Sequence, residues 1–194
     1  PVILLEERLA KLWMTGFRKS IPPGGSPRSA WAHPQDLVRV LQEEFVVCKP
    51  EAQVTEYLTR VAWIHDILED GHLRGSTLVT EEDLLFQDVD AQIVRDVVAL
   101  SRRTTESKDE YLARFIYATP RVKLLKCIDR TCNLRESPKH VYAWWDRYSA
   151  STRKYIVPLA RSLPNSEGWS VWATSILEHA LTLRPSQRMN QVTL

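Results

Sequence analysis

Apolar positions recur three and four residues apart along almost the whole chain, and strand-like alternation is nearly absent, so the pattern predicts an all-α protein. Residues 2 to 16 place Ile3, Leu4, Leu9, Leu12, Trp13 and Met14 among Glu6, Glu7 and Lys11, an amphipathic helix closed by Gly16. The stretch from Ile21 to Pro27 holds three prolines and two glycines and is read as a loop. His33-Pro34 opens a second helix, with Leu37, Val38, Leu41 and Phe45 as its stripe, and Cys48-Lys49-Pro50 breaks it. A helix from about Glu51 to Asp70 follows, with Val54, Tyr57, Leu58, Val61, Ala62, Ile64 and Leu68 on its inner face. After a turn over residues 71 to 75, Thr80 resembles an N-cap for a short helix through Leu84, Leu85 and Phe86. Ile93 to Leu100 marks another helix, Ser101 to Lys108 a polar, mobile loop, and Tyr111 to Ile116 a helix that Pro120 interrupts. Val122, Leu125, Ile128, Asp129 and Cys132 define the next inward face.

Beyond Pro138 the helices become aromatic-rich: Tyr142, Trp144, Trp145 and Tyr148, then Tyr155, Ile156, Leu159 and Leu163, then Trp169, Trp172, Ile176 and Leu177. Asn165 or Ser166 is expected to cap the last of these. The aromatics read as core or as a contact in a homo-oligomer rather than as ligand platforms. Residues 184 to 194 read as a polar, disordered tail. At 194 residues the chain suits one domain, residues 1 to 183, with a substantial core. Its 44% hydrophobic and 26% charged residues are those of a soluble globular protein, and a net charge of +2 implies no general affinity for nucleic acid. No apolar run is long enough for a membrane span, and the N-terminus lacks a basic-then-apolar signal pattern. Cys48, Cys127 and Cys132 are odd in number and read as reduced core or pocket thiols, which fits a cytoplasmic protein.

Candidate chemistry changes this picture at four acids and two imidazoles. His65 follows Val61 by four residues and so points inward, with Asp66 beside it, Glu69 four after His65 and Asp70 four after Asp66. A carboxylate in such a place is costly unless a cation or strong hydrogen bonds compensate it, and a divalent metal would do so. The competing reading is an exposed His-Asp pair at a helix end. His33, His65, Asp66 and Asp129 together offer two imidazoles and two carboxylates from three helices. Such a mixed nitrogen and oxygen set suits manganese, iron, cobalt or zinc and hydrolytic work on phosphate esters. Lys126, three before Asp129, either offsets phosphate charge or belongs to a solvated face; for Lys123 the solvated face is favoured.

These pieces carry a resemblance. Arg18-Lys19-Ser20, His33-Pro34, the run from Ile64 to Asp70 (an HDxxED pattern) and the run from Val122 to Arg135 (a KxxDRxxNLR-like pattern) occur in this order over residues 1 to 138. Together they resemble the HD-domain metal-dependent phosphohydrolases, and within these the guanosine tetraphosphate (ppGpp) hydrolase domains of the RelA/SpoT family and the small alarmone hydrolases of the stringent response. The resemblance implies a single-domain HD-type helical bundle, with residues 139 to 183 as an aromatic-rich extension. It implies that His33, His65, Asp66 and Asp129 bind manganese, and that Glu69 and Asp70 position or activate the attacking water. It implies further that Arg18 and Lys19 hold the guanine base and that Ser20 and Asn133 contact base or ribose. The implied reaction releases the 3′-pyrophosphate of ppGpp or pppGpp and leaves GDP or GTP.

Two departures stand out: the family's interval between the Arg-Lys-Ser segment and the His-Pro pair is shorter, and Thr131 and Cys132 stand where Leu and His are usual. No synthetase domain follows, so a stand-alone hydrolase is expected. The rival enzyme is an HD-domain nucleotidase or triphosphohydrolase acting on deoxynucleotides through the same four ligands. A third reading is a degenerate helical module that only senses a nucleotide; metal analysis separates it from the other two.

Overall fold

The computed structural model describes residues 3–17, 28–74 and 76–185. Arg18, Lys19, Ser20, the loop from Ile21 to Pro27, Gly75 and the tail from residue 186 lie outside the described residues. The chain is all-α, as its periodicity predicts; among the described residues extended pairing is confined to two isolated bridges, Phe17 with Ser29 and His72 with Leu78. Contacts divide it into two compact units, Pro1–Lys19 with Arg28–Tyr111, and Ser20–Pro27 with Leu112–Leu194.

The first unit holds α1 (Leu5–Trp13), α2 (Ala32–Glu43), α3 (Ala52–Ile64), α4 (Ile67–Asp70), α5 (Glu81–Phe86) and α6 (Ala91–Leu100), and its end enters α7 (Lys108–Ala113). Helix α3 packs on α1, α2 and α6. Its Leu58, Val61, Ala62 and Ile64 are fully buried, and a buried Leu or Ile contributes about 1.5–3 kcal/mol. A polar tie adds direction: Glu6 of α1, fully buried, accepts Arg60 Nε at 3.1 Å and Nη2 at 2.9 Å. Helix α2 starts a residue before His33, so Pro34 sits in its first turn, where no intrahelical donor is missed. Thr80 caps α5 as expected, in a reciprocal box with Asp83.

The long helix read from Glu51 to Asp70 is broken. Helix α3 stops at Ile64, Asp66 takes φ −101° and ψ 3°, and α4 starts afresh at Ile67. These angles fall in the bridge region, where turn and active-site residues concentrate. Gly71 then leaves α4 against its own last turn: a Cβ there would lie 2.4 Å from the Ile67 carbonyl oxygen and 2.7 Å from Ile67 Cγ1.

The second unit is organised on α8 (Pro120–Arg135), which packs against α9 (Tyr142–Ser151), α10 (Val157–Arg161) and α11 (Trp169–Ala180). Leu124, Leu125, Cys127, Ile128 and Leu134 are fully buried. Helix α9 runs into α10 through a π-turn, Thr152–Ile156, in which the Val157 amide donates to the Thr152 carbonyl. Pro158 follows at once, and a proline has no N–H for the i−4 carbonyl and crowds it, so the ladder widens on the turn ahead. The N-cap of α11 is Gly168, with φ 71°, and not Asn165 or Ser166. Asn165 contributes its carbonyl instead, accepting the Gly168 amide at 3.0 Å. Of the aromatics, Trp145, Trp169 and Trp172 are core. Trp144 is half-buried and stacks between His140 and Tyr148, and Arg130 lies 4.0 Å from the centre of the Tyr148 ring.

Candidate metal centre

The break after α3 turns two adjacent side chains toward α2. His65 ends α3 with 3% exposure, and its Nδ1 lies 2.8 Å from the Ala62 carbonyl oxygen. A carbonyl can only accept, so Nδ1 carries the proton and Nε2 presents its lone pair. Asp66 Oδ2 lies 3.1 Å from that Nε2 and 3.9 Å from Nε2 of His33, which α2 delivers in its first turn, also at 3% exposure. The two imidazoles meet edge to face, ring centres 5.2 Å apart. One donor atom from each of the three residues falls within 4.8 Å of the others, the spread of ligands that converge on one ion. Two imidazole nitrogens and a carboxylate fit a divalent transition metal, and the absence of thiolate separates the set from structural zinc. The exposed-pair reading of His65-Asp66 fails on the burial of His65.

Glu69 and Asp70 form the last turn of α4, and both their amides donate to the Asp66 carbonyl, at 3.0 and 2.9 Å. Glu69 is exposed. Its Oε1 accepts the main-chain N–H of Arg102 at 2.7 Å, a partner that sequence reasoning missed because a main-chain donor leaves no residue signature.

Asp129 heads a polar group in the second unit. It is buried, with Lys126 Nζ donating to Oδ2 at 2.7 Å and Asn133 Nδ2 to Oδ1 at 2.8 Å. Of the two readings of Lys126, the solvated face does not hold: the residue is 8% exposed and ion-paired. Arg18, Lys19 and Ser20 lie outside the described residues. The three cysteines are free thiols; burial pushes Cys127 up to about 12 and raises Cys48 as well.

The described residues form an all-α fold that carries a His-His-Asp cluster able to hold a metal. No family model matches the chain, and no curated protein matches it in sequence. Among solved structures, it is similar to a metazoan ortholog of SpoT that hydrolyses ppGpp and plays a role in starvation responses. The TM-score is 0.68 at 17% identity, and the alignment covers 100% of this chain and 99% of the other. No described helix is long and apolar enough to cross a membrane.

Proposed function

We propose that this protein is a manganese-dependent hydrolase that removes the 3′-pyrophosphate from ppGpp and pppGpp. The observation that carries the reading is the cluster of buried His33 and His65 with half-buried Asp66, on a fold shared with a ppGpp-hydrolysing protein. His33, His65 and Asp66 would hold the metal, and the resemblance implies Asp129 as a further ligand. When bound, the ion supplies Lewis acidity for the phosphoryl group and for water. Glu69 and Asp70 orient the attacking water and take its proton as its oxygen adds to the 3′-linked phosphorus. The P–O3′ bond breaks, the 3′ oxygen is protonated, and pyrophosphate leaves from GDP or GTP. Arg18 and Lys19 hold the guanine, a guanidinium being suited both to stacking on a purine and to phosphate, and Ser20 and Asn133 contact base or ribose. Lys126 offsets phosphate charge beside Asp129.

The deciding experiment incubates manganese-loaded protein with ppGpp, pppGpp and the deoxynucleoside triphosphates and identifies the products. GDP and pyrophosphate from ppGpp are expected. Conversion of a deoxynucleoside triphosphate with ppGpp untouched would replace this reading with that of a triphosphohydrolase. Glu69→Gln should keep metal and substrate binding and lose about 10²-fold or more in turnover; turnover at the wild-type rate removes Glu69 from the chemistry.

A further inference from the structure

The segment joining α6 to α7 is polar from Ser101 to Ser107 yet closely braced. The Arg103 amide donates to Glu106 Oε2 at 3.0 Å, and Arg102 Nε donates to the Glu106 carbonyl at 3.3 Å. The Ser107 amide donates to Glu110 Oε2 at 2.8 Å and holds that carboxyl below its usual range. Tyr111 closes the base by donating to the Leu100 carbonyl. Printed on this frame is an imbalance of charge. Glu106 and Glu110 turn toward main-chain amides, whereas the guanidinium groups of Arg102 and Arg103 are exposed and meet no carboxylate among the described residues. The same segment reaches Glu69 through the Arg102 amide at 2.7 Å.

We propose that this loop is the phosphate-recognition element of the site, its main chain holding Glu69 while Arg102 and Arg103 take the phosphate groups of the substrate. The proposal rests on the phosphohydrolase reading above. A polyphosphate carries several negative charges, and two adjacent guanidinium groups match its oxygens with forked, charge-assisted hydrogen bonds that lysines give less well. Cations without acids opposite them also raise the local potential toward an anionic substrate. Because the loop bonds to Glu69 through its backbone, the residue that binds phosphate and the residue that orients water are placed by one connection. Arg102 is thus both a binding residue, by its side chain, and a positioning residue, by its amide.

The two roles separate experimentally. Manganese-loaded protein is titrated calorimetrically with inorganic pyrophosphate. The wild type should bind, the R102A/R103A variant about tenfold or more weakly, and R102K/R103K in between. In turnover, R102A keeps the amide and should raise KM, whereas R102P removes it and should lower kcat about tenfold relative to R102A. Independently of folding in the proline variant, hydrogen exchange at the Arg102 amide should be slow in the wild type and faster in Glu69→Ala. Equal pyrophosphate binding in wild type and R102A/R103A, or none in the wild type, overturns the recognition role. Unchanged exchange in Glu69→Ala overturns the docking. A wild type inactive on every nucleotide refutes the phosphohydrolase reading instead, while the titration and the exchange still decide the loop.

Discussion

Replacing Arg60 by Met removes the cation that faces Glu6 across α1 and α3. Both Arg60 bonds go to Glu6 Oε1, Oε2 is buried without a hydrogen-bond partner, and the glutamate is fully buried while the Arg60 side chain is 30% exposed. Stripping the partner from a buried charge costs about 3–5 kcal/mol, and the partial exposure of Arg60 places this site at the lower end, about 3 kcal/mol. For a chain of this length that is a fall in Tm of about 6–12 °C. Replacing both residues, Glu6→Leu with Arg60→Met, leaves no buried charge and should lie within about 1 kcal/mol of wild type, so that removing Glu6 from the Arg60→Met protein recovers about 2 kcal/mol. The Glu6 hydrogen bond holds the Arg60 guanidinium above its ordinary value. Its contribution is therefore complete below that value and is lost only as pH rises through the still higher folded one, so the deficit should be the same across about pH 6–9. Urea unfolding followed by far-UV circular dichroism measures each term. An Arg60→Met protein within about 0.5 kcal/mol of wild type would show that Glu6 is buried at no electrostatic cost and would refute the reasoning.

His65→Ala should abolish transition-metal binding by elemental analysis and keep the helical dichroism, since the apolar contacts of α3 survive; wild-type protein that binds no transition metal ends the metal-centre assignment. Cys127, with its thiol pushed up to about 12 and fully buried, should resist a thiol-specific chromogen until the protein is unfolded, while the half-buried Cys48 reacts first. Thr80→Ala should cost about 1 kcal/mol through the lost α5 cap, read as a shift in urea midpoint at constant slope.

Helix existence was legible because burial follows period 3.6 so closely here: Leu58, Val61, Ala62, Leu125 and Ile128 are each where their spacing puts them. The break at His65-Asp66 was not, because Ile64, Ile67 and Leu68 carry the apolar rhythm straight through it and no proline or glycine marks it. The break follows from Asp66 adopting a turn conformation, a preference of short polar side chains that spacing alone does not weigh. Lys126 and Asn133 could be placed near Asp129 by helix register, three before and four after. Their bonds to its two separate oxygens needed coordinates. The α11 cap was misassigned because Asn165 and Ser166 compete for the role by composition, whereas the left-handed backbone of Gly168 decides it.

The π-turn between α9 and α10 works as a phase shifter. Each residue of an α-helix rotates the chain by about 100° and advances it by about 1.5 Å. One residue extra in the turn therefore sets the angular phase of everything downstream without changing the axis much. Excising a single residue between Thr152 and Ile156 would swing the buried Leu159 and Ala160 by about that angle, off the face α10 presents to α8 and α11. In this stretch, then, the count of residues is a stronger constraint than their identity: substitutions are absorbed side chain by side chain, but a deletion is transmitted to the whole of α10.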